Sequence, residues 1–291
     1  MYSFSEYKYS LPELENKAKK IIEAGKTEID RQQVLRQIIG CIDLTTLSGD
    51  DTTPKVEALC AKAESFFDGD KGIPNVAAVC VYPVFANTVH HALKGTDIKT
   101  ACVAGAFPSG QSPLPVRIDE VKYAVDHGAD EIDMVISRGR LLEGDADFVF
   151  DEVRLIKEAC GEAHLKVILE TGELKTPKLI RKASVIAIDA GADFIKTSTG
   201  KIAPAATHEA VVIMLDTIKE YFDATGNMIG IKPAGGISTP DDAITYYLLV
   251  KHILGERWLS RTHFRIGASS LADKVYDETI MNFINHKFTH E

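Results

Sequence analysis

Short apolar runs recur along the chain, and stretches with helical periodicity separate them. Eight of these runs have the composition of buried strands, and they start about 32 residues apart on average, which suits one strand plus one helix. The runs cover residues 38–45, 75–83, 99–107, 131–136, 165–170, 194–199, 230–235 and 264–269.

The segments between the runs carry helix signals. Thr176 followed by Pro177 is an N-cap with a first-turn proline, and VRLIKEACG ends at a glycine. Eight alternations of strand and helix predict an α/β fold, a single (β/α)8 TIM barrel. Helical patterns near the start predict extra N-terminal helices, so we expect a helical extension, 1–37, and a catalytic barrel domain, 38–291. A doubly wound open sheet is the alternative, but no GxGxxG follows the first run.

Strand alternation predicts which charged side chains enter the barrel. In the fourth run, Ile132, Met134 and Ile136 share the face that outer helices would cover, so Asp133 points inward. Lys196 in the sixth run and Lys232 in the seventh are also predicted to point inward, because an ammonium buried between strand and helix would be unpaired. A buried ion pair explains these charges less well than a site, since structure alone rarely needs three of them.

Two neighbouring lysines have a specific chemical use. A free lysine has a pKa near 10.4, so only about one in 2,500 is neutral at pH 7, and only the neutral amine attacks a carbonyl. A second cation nearby and an apolar wall lower that pKa. The product of attack is an iminium, which permits cleavage of a carbon–carbon bond next to it.

Glycine-rich turns follow the last three runs. These are TGK at 199–201, PAGGIST at 233–239 and GASS at 267–270. Loops after the seventh and eighth strands are the usual phosphate site of such barrels, and glycines let backbone amides approach a ligand. Each turn alone is also compatible with an ordinary connection, whereas three in neighbouring positions favour a phosphate site.

Composition excludes several other classes. Acidic residues outnumber basic ones by 42 to 33, which gives a net charge of −9 and disfavours nucleic-acid and anionic-membrane binders. No apolar stretch is long enough to cross a membrane, and the polar start does not look like a signal peptide. Five cysteines without a CxxC pair indicate reduced thiols in the cytoplasm. His90 and His91 are adjacent on a helical stretch, and no metal motif accompanies them, so we expect no metal and no cofactor.

Several longer motifs carry a family resemblance. They are DLTTL (43–47), AAVCVYP (77–83), GADEIDMVI (128–136), KVILETGEL (166–174), RKASVIAIDAGADFIKTSTGK (181–201), IKPAGGI (231–237) and RIGASSL (265–271). Together they span roughly residues 41–273, and the chain resembles the deoxyribose-phosphate aldolases, which are lysine-dependent (class I) enzymes. The resemblance implies reversible cleavage of 2-deoxy-D-ribose 5-phosphate to acetaldehyde and D-glyceraldehyde 3-phosphate, in deoxyribonucleotide catabolism.

The resemblance also implies residue roles. Lys196 would form the Schiff base, Lys232 would lower its pKa, and Asp133 would transfer protons through a bound water. The substrate would contact, or be positioned by, Asp43, Thr45, Cys80, Thr199 and Lys201, although a purely structural role is the stronger expectation for the Cys80 thiol. The phosphate would be held by Gly200, Gly235, Gly236, Gly267, Ser269 and Ser270. The partners implied are a phosphorylated deoxysugar and small aldehydes, with a homodimer as the family-level expectation.

The chain departs from the family pattern at two places. Many members end in a tyrosine that reaches the site, whereas the last tyrosine here is Tyr276. Ser238 stands where an arginine follows the KPAGG motif. Other functions stay open at the level of sequence: a pyridoxal-phosphate protein, a ketose-phosphate aldolase, or a sugar-phosphate sensor that retains the fold without turnover.

Overall fold

Eight parallel strands form one sheet in the computed structural model, which describes residues 2–288. The strands are β1 (Ile42–Thr45), β2 (Ala78–Val81), β3 (Lys99–Ala104), β4 (Glu131–Val135), β5 (His164–Ile168), β6 (Phe194–Lys196), β7 (Gly230–Lys232) and β8 (Ile266–Ala268). Seven of them lie inside one of the eight apolar runs, and β5 begins one residue before its run, at His164. The strand order is β7-β6-β5-β4-β3-β2-β1-β8.

Backbone hydrogen bonds between the two ends of the sheet close the barrel. Ile231 N–H donates to His263 O at 2.9 Å, and Gly267 N–H donates to Pro233 O at 3.0 Å. The predicted TIM barrel is therefore confirmed, and the open sheet is excluded. Closure brings β7 and β8 together, and with them the two glycine-rich turns that follow these strands.

Helices separate successive strands and cover the outside of the barrel. They are α1 (Leu11–Lys26), α2 (Arg31–Ile39), α3 (Thr53–Ser65), α4 (Ala86–Ala92), α5 (Leu114–Asp126), α6 (Arg138–Glu143), α7 (Ala146–Cys160), α8 (Thr171–Leu174), α9 (Pro177–Asp189), α10 (His208–Thr225), α11 (Pro240–Leu254) and α12 (Leu271–Phe288). The expected cap of α9 is present, since the Thr176 side chain accepts from Leu179 N–H. None of the helices described is long and apolar enough to span a membrane.

The two helices before β1 pack against the last outer helices of the barrel. Helix α1 contacts α10 and α11, and α2 contacts α11 and α12. The inner face of α1 consists of the four buried residues of that helix, Leu14, Ala18, Ile21 and Ile22. Helix α2 extends to Ile39, two residues into the run that the sequence assigns to the first strand.

The core has two parts. Apolar residues between strands and helices form the larger part, while small or apolar side chains from β2 and β3 fill one side of the interior. Most of the remaining interior side chains are charged, and the buried Phe194 ring lies beside the guanidinium of Arg265. On β1 and β4 the apolar side chains point to the helices and the alternating polar ones point inward, whereas β2 and β3 contribute apolar side chains to the interior.

Candidate active site

Lys196, Lys232 and Asp133 meet inside the barrel. Lys196 Nζ lies 2.7 Å from Asp133 Oδ2, and Lys232 Nζ lies 2.6 Å from the same oxygen. All three side chains are almost completely buried. The sequence thus predicted correctly that these residues, which come from β6, β7 and β4, point inward.

The two lysines differ in their surroundings. Lys232 also donates to Asp43 Oδ2 at 2.5 Å, so two carboxylates face it, whereas only Asp133 bonds to Lys196. Burial lowers the pKa of Lys196, Lys232 lowers it further, and Asp133 opposes both. Burial has the same effect on Lys232, but Asp133 and Asp43 outweigh it and raise the pKa of Lys232. Lys196 is therefore the lysine that gives up its proton more easily.

A cavity of about 360 Å³ opens above Lys196 at the carboxyl ends of the strands. Its wall includes many of the residues expected at the site: Thr45, Lys196, Thr199, Gly200, Lys201, Gly235, Gly236, Gly267, Ser269 and Ser270. The four other expected residues, Asp43, Cys80, Asp133 and Lys232, do not line the cavity and are fully buried. Burial raises the pKa of the Cys80 thiol, so it stays protonated.

The glycine turns give this cavity its shape. Gly200, Gly235 and Gly236 have φ values of +76°, +83° and +79°, a region that favours glycine. A Cβ on Gly235 would lie 2.6 Å from the Ala205 Cβ. The backbone therefore approaches the cavity closely, and the helix α12 begins directly after Ser270. Backbone N–H groups and a helix N-terminus suit a phosphate.

The family model for DeoC/LacD family aldolases matches residues 37–248. The chain is 48% identical over 252 residues to the deoxyribose-phosphate aldolase of Homo sapiens, which covers 83% of this chain and 79% of that protein. The chain belongs to the DeoC/LacD aldolase family. It is accordingly a class I aldolase, an aldehyde-lyase.

Further relatives agree with this assignment. The deoxyribose-phosphate aldolase of Bos taurus is 47% identical over 248 residues, which cover 81% of this chain and 78% of that protein. The tetrameric deoxyribose phosphate aldolase of Aeropyrum pernix matches in structure with a TM-score of 0.67 and 26% identity, over 90% of this chain and 97% of that one.

The aldolase holds three more charged groups in its interior to which the sequence analysis gave no role. Lys166 Nζ lies 2.6 Å from Glu131 Oε2 and 2.9 Å from Asp133 Oδ1. Arg265 donates to Glu131 Oε1 at 2.6 Å and to Asp43 Oδ1 at 2.7 Å. The sequence pattern does indicate that Lys166 points inward, because Lys166 alternates with Leu165 and Val167 just as Lys196 alternates with apolar neighbours.

Glu170 is a further buried group next to the cavity wall. Its backbone is left-handed, with φ at +54°, and its carboxylate accepts from Thr199 N–H at 3.2 Å and from Thr199 Oγ1 at 2.6 Å. Thr199 Oγ1 in turn accepts from Lys201 N–H at 3.1 Å. Lys201 Nζ reaches across the cavity mouth to Leu47 O at 2.5 Å. Glu170 therefore anchors the turn that carries Lys201.

The structure places Ser238 and Tyr276, the residues at the two departures from the family pattern, in different surroundings. Ser238 lies in the cavity wall, where its N–H donates to Asp242 and its carbonyl accepts from Lys274 Nζ at 2.8 Å. Tyr276 packs edge-on against Phe66. The end of the chain, residues 289–291, lies outside the described residues. Within residues 2–288, no His, Cys, Asp and Glu side chains cluster as a metal site would require.

Proposed function

We propose that this aldolase reversibly cleaves 2-deoxy-D-ribose 5-phosphate into acetaldehyde and D-glyceraldehyde 3-phosphate, with Lys196 as the Schiff-base lysine. The observation that carries the proposal is the position of Lys196. Among the three lysines of the described interior, it alone lines the cavity, and it alone has a lowered pKa. The names of the human and bovine relatives support this substrate.

The first half of the reaction uses the neutral amine. Lys196 Nζ adds to C1 of the open-chain aldehyde and gives a carbinolamine, which loses water to form a protonated iminium. Lys232 keeps its proton between two carboxylates and so keeps a positive charge beside Lys196. That charge favours the neutral amine before the attack.

The second half breaks the C2–C3 bond. A base removes the proton of the C3 hydroxyl, C3 becomes the carbonyl carbon of glyceraldehyde 3-phosphate, and the bonding electrons pass into the iminium to form an enamine. Protonation of the enamine at C2 restores an iminium, and water releases acetaldehyde and the free lysine. We assign these proton transfers to a water held against Asp133, whose carboxylate bonds to Lys196.

The rest of the cavity wall suits the remainder of the substrate. The turns around Gly200, Gly235 and Gly267, together with Ser269 and Ser270, would hold the phosphate. Thr45, Thr199 and Lys201 line the same cavity as Lys196, where they would contact the sugar hydroxyls. Asp43 and Cys80 would act from below, Asp43 through its bond to Lys232.

We further propose a catabolic role for the reaction in deoxyribonucleotide degradation, in the cytoplasm and as a homodimer. The five cysteines are buried free thiols, which supports a reducing compartment. Sedimentation velocity at micromolar concentration tests the dimer, and a tetramer like that of the Aeropyrum pernix relative would contradict it.

Borohydride trapping tests the assignment of Lys196. The protein is incubated with deoxyribose phosphate, reduced, digested and searched for the mass increment. We expect a stable adduct on Lys196 that Lys196→Ala removes and that Lys201→Met, which alters another lysine of the cavity wall, retains. An adduct on Lys232 would reverse the two lysine roles. A folded protein that forms no adduct and leaves deoxyribose phosphate uncleaved would overturn the proposal.

A further inference from the structure

Seven charged side chains form one continuous cluster in the barrel interior, and the reaction above uses only part of it. The four cations are Lys166, Lys196, Lys232 and Arg265, and the three carboxylates are Asp43, Glu131 and Asp133. Each side chain is at most 4% exposed. The cluster therefore has almost no access to water that could screen an imbalance of charge.

Arg265 contacts two carboxylates of the cluster, neither of which forms an ion pair with Lys196. Its guanidinium donates to both oxygens of Glu131, at 2.6 and 3.0 Å, and to Asp43 Oδ1 at 2.7 Å. It lies 5.7 Å from the ring centre of Phe194. A guanidinium does not lose its proton in a protein, so Arg265 contributes one fixed positive charge.

With every group ionised, the four cations exceed the three carboxylates by one positive charge. An unbalanced charge away from water is costly, and the loss of a single proton removes it. The proton leaves the lysine with the fewest carboxylate contacts. Lys166 and Lys232 each contact two carboxylates within 3 Å, whereas Lys196 contacts only Asp133.

We propose that Arg265 and Glu131 are positioning residues whose opposite charges each set the balance of the cluster: the fixed charge of Arg265 makes the cluster balance when Lys196 is neutral, and the carboxylate of Glu131 limits the positive excess to one. Neither residue touches the cavity wall, and both act through Asp43, Asp133 and the lysines. The proposal rests on the proposed role of Lys196 as the Schiff-base lysine. It adds that the charge of the neighbouring Lys232 does not by itself make Lys196 neutral. Without Arg265, the three lysines and three carboxylates would balance with Lys196 protonated.

The groups that face Lys196 from other strands add no charge beyond the seven side chains of the cluster. Asp133 faces it from β4, Lys232 from β7 and Cys80 from β2, and the Cys80 thiol is neutral because burial raises its pKa. Burial lowers the pKa of Lys166, but Asp133 and Glu131 outweigh it and raise that pKa. Lys166 therefore holds its proton, as Lys232 does.

Three variants test the pair through the pH dependence of kcat/KM for deoxyribose phosphate cleavage. Arg265→Met balances the cluster with Lys196 protonated, so we expect the acidic limb of the profile to move to higher pH. Glu131→Gln adds to the positive excess, so the limb should move to lower pH. Each pH unit of displacement changes the neutral fraction of Lys196 about tenfold below its pKa. The double variant restores the excess of one, and its limb should return toward that of the unchanged protein.

A direct measurement of Lys196 separates this proposal from the substrate assignment. Reductive methylation with formaldehyde and cyanoborohydride, read by mass spectrometry at Lys196 across pH, reports the neutral amine without any sugar phosphate. We expect the methylation profile to shift in the same directions as the kinetic limb. If deoxyribose phosphate is not cleaved but the methylation profile still shifts, the substrate proposal fails and the charge-setting role stands.

Arg265→Lys is the matched control, since it keeps the charge and loses the two-pronged geometry. We expect its profile to stay within a few tenths of a pH unit of the unchanged protein. If Arg265→Met does not fold, Glu131→Gln, which is isosteric, carries the test alone. The proposal is overturned if the folded variants lose activity equally at all pH values, because a purely structural role lowers the rate without moving the limb.

Discussion

Lys196 and Lys232 lie opposite each other in the parallel register of β6 and β7, and both donate to the same oxygen of Asp133. Two ammonium groups on one carboxylate oxygen compete for its charge. Asp43 decides the competition, because it bonds to Lys232 alone of the two. Lys232 therefore holds its proton more tightly than Lys196, which faces the cavity and is the nucleophile of the proposed mechanism.

A nucleophilic lysine should cost the aldolase stability. In the unfolded chain Lys196 is protonated at pH 7, and folding lowers its pKa, which costs about 1.4 kcal/mol per unit of lowering. We expect Lys196→Met, which keeps the volume, to raise the free energy of unfolding at pH 7 while abolishing cleavage. Urea unfolding at pH 7 measures this.

The pH dependence of that gain has a definite sign. Between the folded and unfolded pKa values of Lys196 the unfolded state binds more protons, so the stability of the unchanged protein rises with pH. The advantage of Lys196→Met should therefore shrink as pH approaches 10. A constant advantage, or a less stable variant at pH 7, would contradict the lowered pKa.

Asp133→Asn should destabilise the fold strongly. The carboxylate is the contact shared by Lys166, Lys196 and Lys232, and its loss leaves buried ammonium charges uncompensated. Breaking a buried ion pair costs about 3–5 kcal/mol. The control is Asp223→Asn, which removes an exposed pair with Lys219 and should cost less than about 1 kcal/mol. Chemical denaturation at pH 7 compares them, and equal losses would argue against a tightly coupled cluster.

Acid should unfold the aldolase through its interior carboxylates. Burial raises the pKa values of Asp43, Glu131 and Asp133, but the lysines and Arg265 outweigh it and hold these pKa values below their ordinary range. The stability this provides is present above about pH 4, the unfolded value, and is lost as pH falls through the folded values. Melting temperatures from pH 7 to pH 3 should fall less steeply for Asp43→Asn than for the unchanged protein. Parallel curves would show that Asp43 does not contribute.

Gly235→Ala should weaken binding of the phosphate. The residue has φ of +83°, and a Cβ there would press against Ala205. We expect KM for deoxyribose phosphate to rise by about tenfold, the loss of roughly one hydrogen bond to a charged group, while the rate with unphosphorylated deoxyribose is unchanged. Gly226→Ala is the control, because it has a similar φ of +75° with open space around it and lies at the end of α10. An equal effect on both sugars would place the damage at Lys196 instead.

Much of the fold could be predicted from the sequence because barrel strands obey a local rule. Strands such as β1 and β4 alternate apolar and polar positions, and several helices have their own start signals, as Thr176 and Pro177 do for α9. The boundary of α2 was harder to predict, because its last residues, Ile38 and Ile39, are as apolar as the strand that follows. A short apolar run has the same appearance in a buried helix end and in a strand.

The sequence by itself determined that Lys196, Lys232 and Asp133 point into the barrel and that glycine-rich turns follow the last strands. Only the tertiary structure decided how the interior charges pair. Arg265 bonds to Glu131 on β4 and to Asp43 on β1, residues separated from it by more than a hundred positions, and no local pattern encodes such contacts. Alternation along a strand fixes the face of a side chain, whereas its partner depends on barrel closure, which brings distant strands within a few ångströms of one another.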